Sequence, residues 1–222
     1  MIFGLEMKKI ISGMTKTMDS VKPPRMTALR ELHEAETGPF SILIGTILSA
    51  RTKDEATAKA VRELFSKYEN PKELANAKLK DIEKIIKSIG FFHVKSKRII
   101  EVANIIHTKY KDRVPDDLDT LVQLPGVGRK TANCVLVYAF EKPAIPVDIH
   151  VHRISNRLGL VDTKNPEETE QELMKKIKKK YWIDINDTFV MYGQNICKPI
   201  SPMCDVCQIK KSCKFYKTKN AS

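Results

Sequence analysis

Four of the five cysteines lie close together near the end of this 222-residue chain. Cys197, Cys204, Cys207 and Cys213 are separated by six, two and five residues. Clustered thiolates bind tetrahedral zinc or an iron–sulfur cluster, and the spacing alone does not choose between them. The sequence shows no export signal, so we expect reduced, intracellular thiols rather than disulfides. Cys134 lies apart, within an apolar helical pattern, and is predicted to be a core residue.

The segment LPGVGRK, residues 124–130, joins two predicted helices through a pair of glycines. Gly126 and Gly128 permit a very tight turn, because glycine adopts backbone torsions that other residues avoid. The N–H groups of such a turn, together with the following helix N-terminus, can hold a phosphate of a DNA backbone. A Walker loop would need a glycine where Arg129 stands. A plain helix–turn–helix corner is the alternative interpretation.

Lys130 lies in the first turn after this hairpin. The positive end of a helix dipole disfavours an ammonium there, and partial burial would add to the effect. Both are expected to lower the lysine pKa from its ordinary value of about 10.4. A neutral amine is a nucleophile that can form a Schiff base. The alternative is a solvated lysine like many others in the chain.

Asp148 follows the rigid segment KPAIP and is predicted to head the next helix. Such a carboxylate could stabilise a developing sugar cation, accept a proton, or cap the helix, and these roles can coexist. Residues 146–154 also alternate between apolar and polar side chains, as in a strand that places Asp148, His150 and His152 on one metal-binding face. A short run of this kind among helices is more typical of a loop that enters a helix.

Amphipathic helices are predicted to position these residues. Apolar residues recur at helical spacing in 54–68, 79–90, 95–110 and 167–182, and residues 41–50 read as a buried helix. No apolar run approaches the roughly 20 residues that span a bilayer. The length allows one domain or two small interlocked ones.

The chain is strongly basic, with a formal net charge of +12 and a pI near 9.4. This charge predicts a polyanionic partner, most simply nucleic acid, with an anionic membrane surface as the second possibility.

Taken together, these motifs resemble those of the endonuclease III family of helix-hairpin-helix DNA glycosylases. The resemblance extends over nearly the whole chain after residue 25. It is carried by the cysteine spacing and by four segments, 47–54, 86–92, 124–133 and 147–160.

The resemblance implies an all-α fold with two lobes and a DNA cleft between them. Residues 32–142 would form a six-helix barrel that contains the helix-hairpin-helix. Residues 1–31 and 143–222 would form a discontinuous helical lobe with a [4Fe-4S] cluster, so that the four cysteines bind iron rather than zinc.

The resemblance also implies a bifunctional enzyme with Lys130 as nucleophile and Asp148 as catalytic aspartate. A damaged base would be flipped out of the duplex, Lys130 would attack the sugar C1′, and β-elimination would cut the strand on the 3′ side. The expected partner is double-stranded DNA with oxidised pyrimidines or abasic sites. We expect a monomer in the cytoplasm, associated with the nucleoid, or in a nucleus.

DNA contacts are expected from Arg51, Phe91, Gly126 and Gly128. Glutamine is common in the family at the position of Arg51. The residue at this position, Arg51 in this chain, would fill the gap left by the flipped base. Phe91 stands at the wedge position, often leucine, and Ile149 stands where threonine is frequent. Two other functional classes compete with this one: a glycosylase for mismatched or deaminated bases, and a non-enzymatic DNA-binding module with a structural metal.

Overall fold

The structure, a computed structural model, describes residues 4–21, 27–35 and 37–219. Every regular element within these residues is a helix, which confirms the all-α prediction. The described chain divides into two compact units. One unit comprises residues 27–142, and the other contains the described residues before and after it. The predicted segment 1–31 includes residues 1–3 and 22–26, which lie outside the described residues.

The unit of residues 27–142 surrounds a helix that is apolar on all sides. This helix, α3, runs from Gly38 to Ser49 and contains no charged residue, so burial on every face costs no ionic desolvation. It packs against α2, α4 and α9. The helices of the unit are α2 (Ala28–Glu34), α3 (Gly38–Ser49), α4 (Asp54–Phe65), α5 (Pro71–Ala75), α6 (Leu79–Ile85), α7 (Phe92–Thr108), α8 (Leu118–Leu121) and α9 (Arg129–Phe140).

Side-chain caps fix where several of these helices begin. Asn70 Oδ1 accepts a hydrogen bond from Glu73 N at 3.0 Å, and Pro71 occupies the first helical position. Asp117 Oδ1 likewise accepts from Thr120 N at 2.9 Å at the start of α8. Both caps satisfy N–H groups that have no partner inside the helix.

The second unit contains α1 (Gly4–Asp19), α10 (Ile149–Leu158), α11 (Pro166–Lys176), α12 (Trp182–Asn195) and α13 (Lys214–Lys219). Short 3₁₀ turns occupy Lys179–Tyr181 and Lys210–Ser212. Helix α12 packs against both α1 and α10. The core of this unit is built on Phe189 and Tyr192 of α12, which are almost fully buried.

The strand alternative for residues 146–154 is wrong. Residues 143–148 have no regular structure and lead into α10, which begins at Ile149 and carries both His150 and His152. Within this run the buried hydrophobic residues are Val147, before the helix, and Val151 and Ile154, which lie three apart on one face of α10. The predicted helix over 167–182 is also interrupted, because Ile177 is extended between α11 and α12.

No helix in the described parts of the chain has the length and apolarity needed to cross a membrane.

Candidate active site

The glycine hairpin precedes α9 in the unit of residues 27–142. Gly126 has a φ of 74°, in the left-handed region that favours glycine. Val127 N donates to Leu124 O at 3.0 Å, and the buried Val127 side chain anchors the turn in the core. Gly128 is the N-cap of α9 and has no side chain that could cap the first-turn N–H groups. The hairpin therefore presents a helix N-terminus to which an anion can bind.

A cation lies directly beside this hairpin. The Arg98 side chain of α7 passes so close to Gly126 that a Cβ atom at this glycine would overlap Arg98 Cδ. The backbone torsion favours glycine at residue 126, whereas the flexible end of Arg98 could move aside for a larger residue. No sequence motif marks Arg98, because only the fold places it beside Gly126.

Lys130 is the second residue of α9 and is exposed. The expectation of partial burial is therefore not met in the free chain. Its place at the positive end of the helix remains, and the exposed side chain is accessible to a ligand bound at the hairpin.

Asp148 is the N-cap of α10. Its Oδ1 accepts hydrogen bonds from His150 N at 2.8 Å and from Val151 N at 2.9 Å, so the expected capping geometry is present. Both bonds involve Oδ1, and Oδ2 lies outside them. The hydrogen bonds at the start of α10 thus fix the orientation of the carboxylate through Oδ1 and do not use Oδ2. The neighbouring Ile149 side chain is 68% exposed.

Arg51 and Phe91 lie side by side on two adjoining turns of the unit of residues 27–142. The Arg51 guanidinium carbon is 5.8 Å from the centre of the Phe91 ring, within cation–π range. Both residues have a positive φ, 53° and 59°, which is uncommon outside glycine. Phe91 is 63% exposed, so this apolar ring projects from the protein.

The four clustered cysteines line one small cavity of about 30 Å³ within the other unit. All four are half-buried, whereas Cys134 is buried in α9, as predicted. Burial, with added repulsion from the other three sulfurs, raises the pKa of the Cys204 thiol. Tyr192 donates its hydroxyl to Cys207 Sγ at 3.0 Å. Among the described residues, no three Cys, His, Asp or Glu side chains form a single-ion site.

The cavity wall is held in place by Arg157 of α10. Its Nη1 donates to Cys197 Sγ at 3.4 Å and to Lys198 O at 2.7 Å, and its Nη2 donates to Pro199 O at 2.9 Å. Its guanidinium also lies 4.4 Å from the Phe215 ring centre. One arginine thereby fixes the chain that follows the first cysteine.

The helical fold and the hairpin that opens α9 define a helix-hairpin-helix protein. The HhH-GPD superfamily of base excision DNA repair proteins matches residues 44–179. Endonuclease III of Thermotoga maritima is 52% identical over 184 residues, which is 83% of this chain and 86% of that protein.

Solved structures agree with this likeness. A non-covalent endonuclease III–DNA complex matches with a TM-score of 0.84 and 33% identity, covering 100% of both chains. A trapped endonuclease III–DNA covalent intermediate, an estranged-adenine complex, matches with a TM-score of 0.82 and 34% identity, covering 99% of this chain and 100% of that one. The chain belongs to the endonuclease III family, and it is a base excision repair enzyme that combines DNA glycosylase and abasic-site lyase activities.

Proposed function

We propose that this chain removes oxidised pyrimidines from duplex DNA and cuts the strand 3′ to the resulting abasic site, with Lys130 as the nucleophile. One observation carries the assignment of the nucleophile: an exposed lysine stands at the second position of α9, directly after the Gly126–Gly128 hairpin. A relative of similar fold has been trapped as a covalent intermediate with DNA, which supports a nucleophile on the protein.

In this proposal the hairpin binds the phosphate backbone of the DNA. A phosphate held by the N–H groups at the start of α9 would bring the deoxyribose close to the same helix turn that carries Lys130. Arg98 adds a positive charge beside Gly126. These contacts are independent of sequence, because phosphates carry no base identity.

The target nucleotide must leave the base stack before its C1′ can be attacked. We propose that Arg51 and Phe91 fill the space in the duplex that the flipped nucleotide leaves. An exposed aromatic ring can insert between base steps, and the adjacent guanidinium can donate hydrogen bonds to the unpaired base of the opposite strand.

Lys130 would then act as a neutral amine. Its nitrogen attacks C1′, and the glycosidic bond breaks with its electron pair leaving on the base, which takes up a proton. Loss of one amine proton, followed by opening of the sugar ring with protonation of its oxygen, gives a protonated Schiff base between Lys130 and C1′. Removal of a C2′ proton then expels the 3′ phosphate as the C3′–O bond breaks. Water finally releases the lysine.

Asp148 is proposed to stabilise the positive charge that develops on the sugar or to accept a proton. Its two backbone hydrogen bonds fix the carboxylate at the start of α10. The N-cap and the catalytic role are thus carried by one side chain.

The endonuclease III family is known for an iron–sulfur cluster. We propose that Cys197, Cys204, Cys207 and Cys213 hold a [4Fe-4S] cluster. Four thiols that line one cavity supply the number of thiolates that such a cluster needs. When bound, such a cluster would cross-link the C-terminal segment, and Arg157 of α10 and Tyr192 of α12 contact its first and third cysteines.

Borohydride trapping tests the proposal. The wild-type protein, loaded with iron, should become covalently attached to a duplex that contains an abasic site or an oxidised pyrimidine when borohydride reduces the Schiff base. Lys130→Ala should give no adduct. Lys142→Ala is the matched control, since Lys142 forms an ion pair with Asp116 and should be trapped like the wild type.

A wild-type protein that releases bases but never forms an adduct would refute the lyase mechanism. The lesion is tested separately with a panel of single-lesion duplexes. Base release that is faster from a thymine or uracil mismatch than from an oxidised pyrimidine would contradict the proposed substrate.

A further inference from the structure

Lys95 is a buried charge that the proposed mechanism does not use. This residue lies in the first turns of α7 and is only 5% exposed. A buried ammonium is costly unless all its donors are satisfied. Its location near the positive end of a helix adds to that cost. A lysine kept at such a position therefore has a specific set of partners.

The Lys95 ammonium has three donors and three acceptors. Its Nζ donates to Leu48 O at 2.8 Å, to Ala50 O at 2.6 Å and to Thr52 Oγ1 at 3.1 Å. These acceptors lie at the C-terminal end of α3 and in the turn beyond it. The negative end of a helix favours a cation, and lysine side chains commonly bond the last carbonyl groups. Lys95 thus binds a turn rather than a single residue.

The turn that Lys95 binds carries Arg51. The backbone of Arg51 is left-handed, a conformation that is unfavourable in residues other than glycine. Such residues persist only where their surroundings hold them. Lys95 binds the residues on both sides, through the carbonyl of Ala50 and the hydroxyl of Thr52.

The same network reaches the turn of Phe91. Gly90 N donates to Thr52 Oγ1 at 3.2 Å, and a Cβ on Gly90 would lie 2.8 Å from Arg51 O. The two turns are therefore in backbone contact, and glycine is the residue that fits. Phe91, the next residue, is also left-handed.

We propose that Lys95 is a positioning residue that locks Arg51 and Phe91 into one rigid pair and thereby sets the preference for the base opposite the lesion. The inference rests on the proposed function, in which this pair enters the duplex. A preorganised pair loses little conformational entropy on binding, whereas a mobile pair must be ordered at each encounter. A rigid guanidinium also distinguishes opposing bases by geometry, which a mobile one does not.

A comparison of duplex and single-stranded substrates separates positioning from folding. A single strand has no opposite base and no stack for Arg51 and Phe91 to fill, so strand cutting at an abasic site in single-stranded DNA should need Lys130 but not the locked pair. Lys95→Met should reduce kcat/KM on a lesion duplex at least about tenfold, the loss expected for one charge-assisted hydrogen bond. Cutting of the single-stranded abasic site should stay within about twofold of wild type. The activity ratio between guanine and adenine opposite the lesion should move towards one.

Two further variants complete the test. Thr52→Val removes the hydroxyl that links Gly90 N to the Lys95 ammonium but keeps the ammonium itself. This variant should also move the opposite-base activity ratio towards one, and it provides the test if Lys95→Met does not fold. Lys109→Met alters an exposed lysine at the far end of α7 and should behave as wild type.

Unchanged duplex activity and opposite-base ratios in folded Lys95→Met, or in Thr52→Val, would overturn the inference. Parallel losses on duplex and single strand, with the ratio preserved, would also overturn it, because they indicate a purely structural role. Failure of the proposed function has a different signature, since wild-type protein would then form no borohydride adduct on either substrate.

Discussion

The ammonium of Lys95 lies 2.6 Å from the carbonyl oxygen of Ala50, the residue immediately before Arg51. Burial, with a smaller contribution from Arg98, lowers the pKa of Lys95 to about 8. A group that hydrogen-bonds the proposed DNA-probing turn therefore begins to lose its proton at mildly alkaline pH.

This pKa predicts a pH dependence of stability. Between pH about 8 and 10.5 the unfolded chain keeps a proton on Lys95 that the folded chain has released. The free energy of unfolding should therefore rise with pH across this window, by up to about 3 kcal/mol from this group. Below pH 8 both states are protonated, and the contribution is constant. We expect the free energies of unfolding of wild type and Lys95→Met, measured by urea denaturation, to have different slopes against pH only between pH about 8 and 10.5. A parallel pH profile for the two proteins would contradict the prediction.

Asp148 combines two roles that Asp148→Asn should separate. Asparagine caps helices as well as aspartate does, so the midpoint of thermal unfolding should stay close to wild type. The loss of charge should reduce single-turnover base release by roughly 100-fold or more, in the range seen for positioned acid–base groups. Asp117→Asn makes the same change at the cap of α8 and should retain activity. Wild-type base release by Asp148→Asn would remove this carboxylate from the mechanism.

Alanine substitutions at the two hairpin glycines should differ in their effect on folding. Gly126→Ala places a Cβ on a left-handed residue and should destabilise the fold by about 1–2 kcal/mol, with the Arg98 side chain moving aside. Gly128 has an ordinary φ, and its Cβ would meet nothing within 4 Å, so Gly128→Ala should lower the unfolding midpoint less. Both should weaken binding to duplex DNA. Equal unfolding midpoints for the two variants would show that the backbone torsion does not restrict residue 126.

Salt should weaken binding to undamaged duplex steeply. Each phosphate contact contributes a slope of about −0.9 to log K against log salt concentration. If Arg98 contacts a phosphate beside the hairpin, Arg98→Met should reduce the magnitude of the slope by about one. Arg62→Met alters an exposed arginine that lies 3.6 Å from Glu31 and should leave the slope unchanged. A flat salt response of the wild-type protein would argue against binding through phosphates.

The cysteine proposal can be tested without an activity assay. Cys204→Ala should lose most of its iron and acid-labile sulfide, together with the visible absorption of the cluster. Cys134→Ala, at the buried cysteine of α9, should keep all three. One zinc per wild-type chain, without sulfide, would show that the four thiolates form a zinc site.

Much of the helical architecture follows from local sequence. The Asn70–Pro71 pair and the apolar spacing of residues 95–110 both correspond to helices of the structure, α5 and α7. The sequence predicts helix ends less accurately. The predicted helix over 79–90 ends at Ile85 in the structure, because residues 86–91 form the turn that carries Phe91. Caps and periodicity act within a few residues, whereas the end of a helix also depends on what packs against it.

Lys95 shows the limit of sequence reasoning for the site. Its spacing of four from Ile99 and seven from Val102 placed it on the buried face of α7, but its charge favoured the solvent. Only the fold brings the end of α3 within hydrogen-bonding distance, 47 residues away in the chain. Likewise, only the fold brings the Arg98 side chain beside Gly126.

The sequence by itself determined the chemistry available to this protein, because a hairpin lysine, a capping aspartate and four clustered cysteines are local patterns. The tertiary structure decided which side chains hold that chemistry in place. A buried ammonium bonded to the end of another helix, and two left-handed residues in contact, depend on atoms that meet only after the chain has folded.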